Sequence, residues 1–179
     1  VTYKKEGRIK DNIIYGNEPI RADIDPIHLE KLKFPVFLEV KYQDGRYHIT
    51  GKYKNISDND ESAKPVKYTI DRTADRLPFS INTSVGIISL KRTEAKALPE
   101  GKVLKICIMS PTMAAVKYTK SLSVSQTSKT TTIAQLVLND EMPKRATDYL
   151  KQLAECYNRQ ANEDKNEIAL RTEQFINTR

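Results

Sequence analysis

The chain has 179 residues, of which 39% are hydrophobic and 30% are charged. This size and composition are those of one globular domain, or of one domain with an attached element. The net charge is +7, but both signs are mixed along the chain and no basic block is interleaved with aromatic residues, which argues against nucleic-acid binding.

The sequence shows no obvious membrane or targeting segment. No apolar run is long enough to cross a bilayer, and no signal peptide is recognisable. The sequence begins at Val1 rather than at Met, so we expect a processed protein or an excised fragment. A mild attraction to anionic polymers or to lipid headgroups remains open.

The first 54 residues predict short strands that end in a hairpin. Residues 1–9 and 12–25 each hold a brief β-favouring run closed by Gly or Pro. Apolar and polar residues then alternate, so that one strand face is expected to carry Val36, Leu38, Val40 and Tyr42 and the other Phe37, Glu39 and Lys41. Asp44-Gly45 predicts a type I′ turn before a return strand over Tyr47–Lys54, because both central positions of that turn need a positive φ.

The next segment, Asn55–Ala63, is polar and acidic. Asp58, Asp60 and Ser62 alternate as in calcium loops. The glycine and the final glutamate that such a loop needs are missing, so a solvated turn is the favoured interpretation.

Further strands follow at intervals of about ten residues, a spacing typical of sandwiches and barrels. They are predicted over Val66–Asp71, Phe79–Asn82, Gly86–Lys91 and, after a turn at Leu98–Lys102, over the more continuously apolar and central Val103–Ser110.

The pattern changes after Pro111. Ser110 and Pro111 open a predicted short helix over Thr112–Lys120. Three elements follow it, namely a strand over Ser121–Gln126, a polar turn over Ser128–Thr132 and a strand over Ile133–Leu138.

The last stretch, Pro143–Arg179, predicts one helix about 50 Å long. Asn139 and Asp140 are its candidate N-caps, and the sequence does not decide between them. One apolar stripe recurs mostly at steps of three and four residues and comprises Ala146, Tyr149, Leu150, Leu153, Tyr157, Ala161, Ile168, Thr172, Phe175 and Ile176.

This stripe is weakest between Arg159 and Glu167, so that part is expected to be solvated or to face a partner. Phe175 and Ile176 are still in step and no Gly closes the helix. We therefore expect the helix to continue beyond Arg179. The alternative is an ordinary C-terminal helix that lies on its own domain.

The order of elements, many strands and then helix–strand–strand–helix, predicts an α+β fold. Residues 1–110 are expected to form a β-rich, sandwich-like module with antiparallel strands. Residues 111–179 are expected to form an α/β element that ends in the long helix.

Candidate chemistry is sparse, and no catalytic, cofactor-binding or metal site is predicted. His28 lies in a turn-like segment and His48 in a strand, too scattered for a nucleophilic triad. The carboxylate pairs Asp58/Asp60 and Glu163/Asp164 lie in polar surroundings that give no reason for a raised pKa. Cys107 and Cys156 are interpreted as small buried hydrophobes, with a disulfide as the alternative.

Five tyrosines are candidates for stacking against sugar rings, because Tyr offers a flat apolar face with a polar tip. They are Tyr42, Tyr47, Tyr53, Tyr68 and Tyr118. The competing interpretation is that half-buried strands favour Tyr in any case.

Both ends of the sequence resemble one family. Residues 109–176 carry most of the likeness, through Pro111, Ala115, Tyr118, Leu122 and Val124, then Leu138, Asn139, Pro143, Ala146, Tyr149, Leu150 and Leu153, and finally Tyr157, Asn158, Asp164-Lys165-Asn166, Thr172, Phe175 and Ile176. At the beginning, the pieces are Val1-Thr2-Tyr3, Gly7-Arg8, Tyr15-Gly16 and Pro19-Ile20. In order and spacing they resemble the periplasmic part of polysaccharide co-polymerases, the chain-length-determinant and Wzc-type proteins, most of all the tyrosine autokinases of the Bacteroidetes. The likeness is weak from about Leu29 to Leu104.

This resemblance implies a fold and a function. Such proteins hold a periplasmic domain between two membrane helices, and the kinase branch adds a cytoplasmic ATP-binding domain. The sequence contains neither membrane helix, no GxxxxGK[ST] loop and no tyrosine-rich tail, as expected for the periplasmic insert alone. By position, the β module resembles the family's jelly-roll-like insert.

The implied function is non-catalytic, without cofactors, at the periplasmic face of the inner membrane. There the chain would regulate the length and export of capsular or exopolysaccharide. The implied partners are further copies of the full-length protein, the polysaccharide and an outer-membrane export protein. Alone, the fragment is expected to be a monomer or weak oligomer. The alternative is a free-standing carbohydrate-binding β-sandwich, and an enzyme comes third.

Overall fold

A computed structural model describes residues 1–7, 9–56, 64–128 and 133–178. Within these ranges the chain mixes α-helices with β-strands, and every strand pairing is antiparallel. This agrees with the α+β class. The chain divides into two compact units, Val1–Lys120 and Ser121–Arg179, whereas the sequence places the boundary between residues 110 and 111.

The elements of the first unit are, in chain order, β1 (Thr2–Lys5), β2 (Asn12–Ile14), β3 (Ile20–Ile24), α1 (Pro26–Lys31), β4 (Val36–Gln43), β5 (Arg46–Asn55), β6 (Val66–Ala74), β7 (Phe79–Thr83), β8 (Gly86–Arg92), β9 (Val103–Ile108) and α2 (Pro111–Ser121). The strands form a six-stranded sheet in the order β2-β1-β9-β4-β5-β6 and a three-stranded sheet in the order β3-β8-β7. As predicted, β9 is an interior strand. It lies between β1 and β4, so the first and last strands of the unit are neighbours.

The β4–β5 hairpin confirms the predicted turn. Asp44 and Gly45 have φ values of 53° and 75°, and Gln43 pairs with Arg46 on either side of them. The predicted alternation is also present, since Val36 and its inward-facing neighbours on β4 are buried while Phe37 is 53% exposed. Local turn chemistry and side-chain period therefore set this part of the sheet.

One hydrophobic core is shared by the two sheets of the first unit. The six-stranded sheet contributes Leu38, Ile49, Leu104 and Ile106, and the three-stranded sheet contributes Ile20, Ile88 and Leu90, all at most 1% exposed. Full burial stabilises the fold by roughly 1.5–3 kcal/mol for each such side chain. Met113 of α2 packs against the same core.

Two tyrosine hydroxyls connect the sheets by hydrogen bonds. The Tyr3 hydroxyl on β1 accepts a bond of 2.9 Å from the Ala22 amide on β3. The Tyr53 hydroxyl on β5 accepts one of 3.1 Å from the Ser84 amide, which lies between β7 and β8. Both tyrosines are 7% exposed. The Tyr3 bond satisfies a backbone donor that little water reaches, since Ala22 is 2% exposed, whereas Ser84 lies in an exposed turn.

The segment around His28 corrects one expectation. It is the short helix α1 rather than a turn, because the Asp25 carboxylate accepts hydrogen bonds from the Ile27 and His28 amides and caps the helix. Smaller differences are that β6 extends to Ala74 and that the strand predicted from Ile133 begins at Ala134.

The second unit contains β10 (Leu122–Gln126), β11 (Ala134–Leu138) and α3 (Pro143–Asn177). The two strands pair antiparallel, with Leu122 opposite Leu138. The helix is continuous for 35 residues, as the apolar stripe predicts. Among the described residues, no helix combines the length and the apolar composition that a membrane span requires.

Neither predicted N-cap of α3 is its cap. The cap position is Met142, whose side chain makes no capping bond. The carboxylate of Asp140 instead accepts the Met142 amide at 2.7 Å and binds Arg145 through two bonds of 2.9 and 2.7 Å. Because Asp140 holds this bend before the helix, its carboxylate does not act at the N-cap position.

The apolar stripe of α3 is covered only in its first part. Its members from Ala146 to Leu153 are half-buried. Beyond them, Tyr157, Ile168, Phe175 and Ile176 are 61–73% exposed. Beyond Leu153 the helix therefore carries apolar side chains that remain largely exposed in the described structure.

We predict that Tyr3→Phe destabilises the first unit by about 1–3 kcal/mol, because it leaves the Ala22 amide without its acceptor. Urea unfolding followed by circular dichroism measures this cost. The control is Tyr47→Phe, since the half-buried Tyr47 hydroxyl makes no hydrogen bond to a described residue. An equal cost for both variants would contradict the assigned role of the Tyr3 hydroxyl.

The difference in stability between the wild-type chain and Tyr3→Phe should also depend on pH. Burial raises the pKa of Tyr3 above its ordinary value of 10.0. The stabilisation that the protonated Tyr3 hydroxyl supplies is complete below that ordinary pKa and is lost as the pH rises through the raised pKa of the folded state. The stability advantage of the wild-type chain over Tyr3→Phe should therefore shrink as the pH rises above about 10, and a constant difference across that range would contradict the assigned burial of the hydroxyl.

Candidate functional site

The histidines and carboxylates singled out in the sequence do not converge. The His28 ring contacts the Asp25 carboxylate at 3.2 Å, which lowers the pKa of Asp25 through that hydrogen bond. His48 lies on β5, with its ring nitrogen 3.4 Å from the Thr73 hydroxyl. Within the described ranges, no three His, Cys, Asp or Glu side chains are close enough together to hold a metal ion.

The two carboxylate pairs give no reactive centre either. Asp58 and Asp60, with the possible calcium loop, lie outside the described residues. Glu163 and Asp164 are exposed on α3, and the Asp164 carboxylate accepts a hydrogen bond from the side-chain Nε2 of Gln160 at 2.9 Å.

Both cysteines are free and half-buried, so the disulfide alternative is wrong. Cys107 lies on β9, where burial raises the pKa of its thiol. A half-buried thiol with a raised pKa is a poor nucleophile at neutral pH.

The structure brings four of the five candidate tyrosines together in two pairs. Tyr42 and Tyr47 are tilted, with ring centroids 4.8 Å apart. Tyr53 and Tyr68 are stacked at 5.0 Å. Tyr53 is only 7% exposed and belongs to the core, whereas Tyr68 is 37% exposed. Of this stacked pair, only Tyr68 therefore offers a ring to a ligand.

Tyr68 lines an open cavity of about 520 Å³ on the first unit. We call it the lysine–aromatic groove, and its lining residues are Phe34, Pro35, Phe37, Lys52, Tyr53, Lys54, Lys67, Tyr68 and Thr69. Among the residues that the structure describes, this lining contains three lysines and no carboxylate.

Strand register builds the groove. Val36 and Leu38 point into the core, so the residue between them, Phe37, points outward. Phe37 lies opposite Lys52 on β5, and Lys52 lies opposite Thr69 on β6. A row across three strands thus carries one aromatic ring, one cation and one hydroxyl.

Two of the groove's lysines are placed unfavourably with respect to each other. Lys54 on β5 lies directly opposite Lys67 on β6, and Cβ atoms in such positions are about 4.5–5.5 Å apart, where like charges destabilise a sheet. Lys54 gains some compensation because its ammonium lies 5.9 Å from the centroid of the Phe34 ring. In the described part of the chain, no carboxylate forms an ion pair with either lysine.

Another lysine pair on the same sheet has acidic neighbours that compensate its positive charge. Lys4 and Lys105 are also directly opposite each other. However, the Lys105 ammonium binds the Asp11 carboxylate at 2.9 Å, which raises the pKa of Lys105 and lowers that of Asp11. Glu39 lies opposite Lys105 on its other side. This pair is neutralised within the fold, in contrast to the pair in the groove.

A larger cavity of about 680 Å³ lies along β3 and β8. Its lining mixes Glu18, Asp23 and Glu94 with Arg21, Lys91 and Arg92, and Glu18 and Arg21 already contact each other at 3.3 Å. This cavity therefore offers no net charge preference, and the lysine–aromatic groove is the better candidate binding site.

Comparison with known proteins adds no family assignment. No family model matches the chain, and no curated protein matches it. The functional inference therefore depends on the residues and on the geometry described above.

We predict that Lys67→Glu stabilises the first unit by about 0.2–1 kcal/mol at low salt, because it replaces a like-charge cross-strand pair by an opposite-charge pair. Urea unfolding at low and high salt measures the change, which should diminish as the charges are screened. The control is Lys96→Glu, which changes the net charge equally at an exposed position outside the groove. A loss of stability in Lys67→Glu would contradict the repulsion assigned to the pair of Lys54 and Lys67.

Proposed function

We propose that this chain is the periplasmic domain of an inner-membrane polysaccharide co-polymerase. In that protein it regulates, without catalysis, the length and export of capsular or exopolysaccharide. The full-length protein is proposed to be a tyrosine autokinase that anchors this domain through membrane helices on either side. The residue-level resemblance described above supports the assignment at both ends of the chain.

The pairing of β1 with β9 is the observation that carries the proposal. Thr2 lies directly opposite Cys107, so the β-rich unit starts and finishes at one place on its surface. A module inserted into another domain needs such neighbouring ends, because the host chain must leave and return at nearly the same point. We propose that the two sheets form the jelly-roll-like insert of the family.

The long helix supports the same proposal. Four apolar side chains from Tyr157 onward are 61–73% exposed, which is more than a surface helix of a single domain usually leaves uncovered. Self-association of the full-length protein would bury them. The outer-membrane export protein is a second proposed partner.

A free-standing carbohydrate-binding module is the second candidate function. The lysine–aromatic groove favours it, because an exposed aromatic ring beside polar and charged groups suits a sugar ligand. The two candidates differ in whether the β-rich unit affects the length of an exported polymer.

The test replaces residues 3–106 by a short Gly-Ser linker in the native chromosomal gene. Because Thr2 and Cys107 are strand partners, the linker should join them without straining the flanking segments. We expect the variant to reach the membrane at normal abundance and to shift the length distribution of the exported polysaccharide on gels. The control inserts the same linker at Asp44-Gly45, where a hairpin turn tolerates additional residues.

The control should leave the polymer length unchanged. An unchanged length distribution in the replacement variant, at normal abundance of the protein, would contradict the proposed function. It would favour the binding module instead.

A further inference from the structure

We propose that the lysine–aromatic groove binds an acidic polysaccharide, meaning a polymer of sugar rings that carry carboxylates. The inference rests on the proposed function, because it names the class of polymer that the domain contacts. The choice of an acidic sugar polymer, however, depends only on the residues that line the groove.

Aromatic rings on the lysine side of the sheet supply the first part of the argument. Phe37 is 53% exposed, and the half-buried Phe34 lies beside the Lys54 ammonium; both line the groove. A pyranose ring has an apolar face of C–H groups that packs on such rings and removes both surfaces from water. Phe37 occupies a position where the strand pattern allows a polar residue, as Glu39 and Lys41 show on the same face.

Positive charge that no carboxylate of the described residues compensates supplies the second part. Lys54 and Lys67 face each other across the sheet, and Lys52 lies beside them in the same lining. A carboxylate placed between the two opposed ammonium groups would turn a repulsion into two attractions. The neutralised pair of Lys4 and Lys105 shows that the fold compensates such a pair elsewhere.

The combination favours a sugar polymer over other anions. An anionic peptide would use the lysines without needing the aromatic rings. A nucleic acid would need basic residues extended over a longer path than this groove provides. A cavity of about 520 Å³ has the size of ordinary small-molecule sites and fits a short run of sugar rings.

The test is isothermal titration calorimetry of the whole chain with hexagalacturonate at low salt, with maltohexaose as the neutral sugar and poly-glutamate as the anion without sugar rings. We expect hexagalacturonate to bind more tightly than either. K54Q/K67Q should weaken its binding roughly two- to tenfold, as expected for the loss of two exposed ion pairs. K96Q/K102Q, which removes two exposed lysines outside the groove, should bind as the wild-type chain does.

A third variant separates the two parts of the argument. Phe37→Ala should weaken the binding of hexagalacturonate and leave any binding of poly-glutamate unchanged. The unfolding midpoint of each variant shows that the fold is retained. Rising salt should weaken the interaction, because the lysines are exposed and screened.

Four results would overturn the inference: no binding of hexagalacturonate, equal binding of maltohexaose, equal binding of poly-glutamate, or equal losses in K54Q/K67Q and K96Q/K102Q. Each is distinguishable from failure of the proposed function. If the linker replacement shifts the length of the polymer while hexagalacturonate does not bind, the proposed function stands and this inference fails. If hexagalacturonate binds through the groove while the polymer length is unchanged, the binding module is favoured.

Discussion

The antiparallel pairing of β1 with β9 is the constraint on which the rest of the first unit depends. It brings together strands about a hundred residues apart in the sequence, with Thr2 opposite Cys107, and it joins β2 and β1 to the hairpin strands β4 and β5 through β9. It also holds Tyr3 where its hydroxyl reaches the edge strand β3 of the other sheet. Closing so long a loop costs chain entropy, which the shared core of the two sheets offsets.

The same alternation of side chains produces both the core and the groove. On β5, the inward residues Ile49 and Tyr53 are buried, while Lys52 and Lys54, on either side of Tyr53, point away from the core. The register with β6 then sets Lys67 opposite Lys54. An acidic residue at one of these positions would be more favourable, so this like-charge pair costs the fold local stability.

Local chemistry made part of this structure predictable from the sequence. The turn at Asp44-Gly45 and the helix of α3 follow from neighbouring residues only. The N-cap prediction for α3 was wrong because the Asp140 carboxylate forms a bidentate pair with Arg145, which no local sequence pattern indicates. The groove was missed because it depends on the register between strands and on the loop that carries Phe34. Of the tyrosines proposed from the sequence, Tyr53 and Tyr68 belong to the groove lining, but the register sets their rings on the other face of the sheet from Lys54 and Lys67.

Amide hydrogen exchange of the whole chain, followed residue by residue, tests the central claim that β1 is an integral strand of the six-stranded sheet. If β1 and β9 belong to one cooperative unit, their paired amides, together with those of β4, should exchange only through global opening and with similar protection. Amides of β1 that exchange roughly a hundredfold faster than those of β9 would show that the two strands open separately. The first and last strands of the β-rich unit would then not be held together as one cooperative unit.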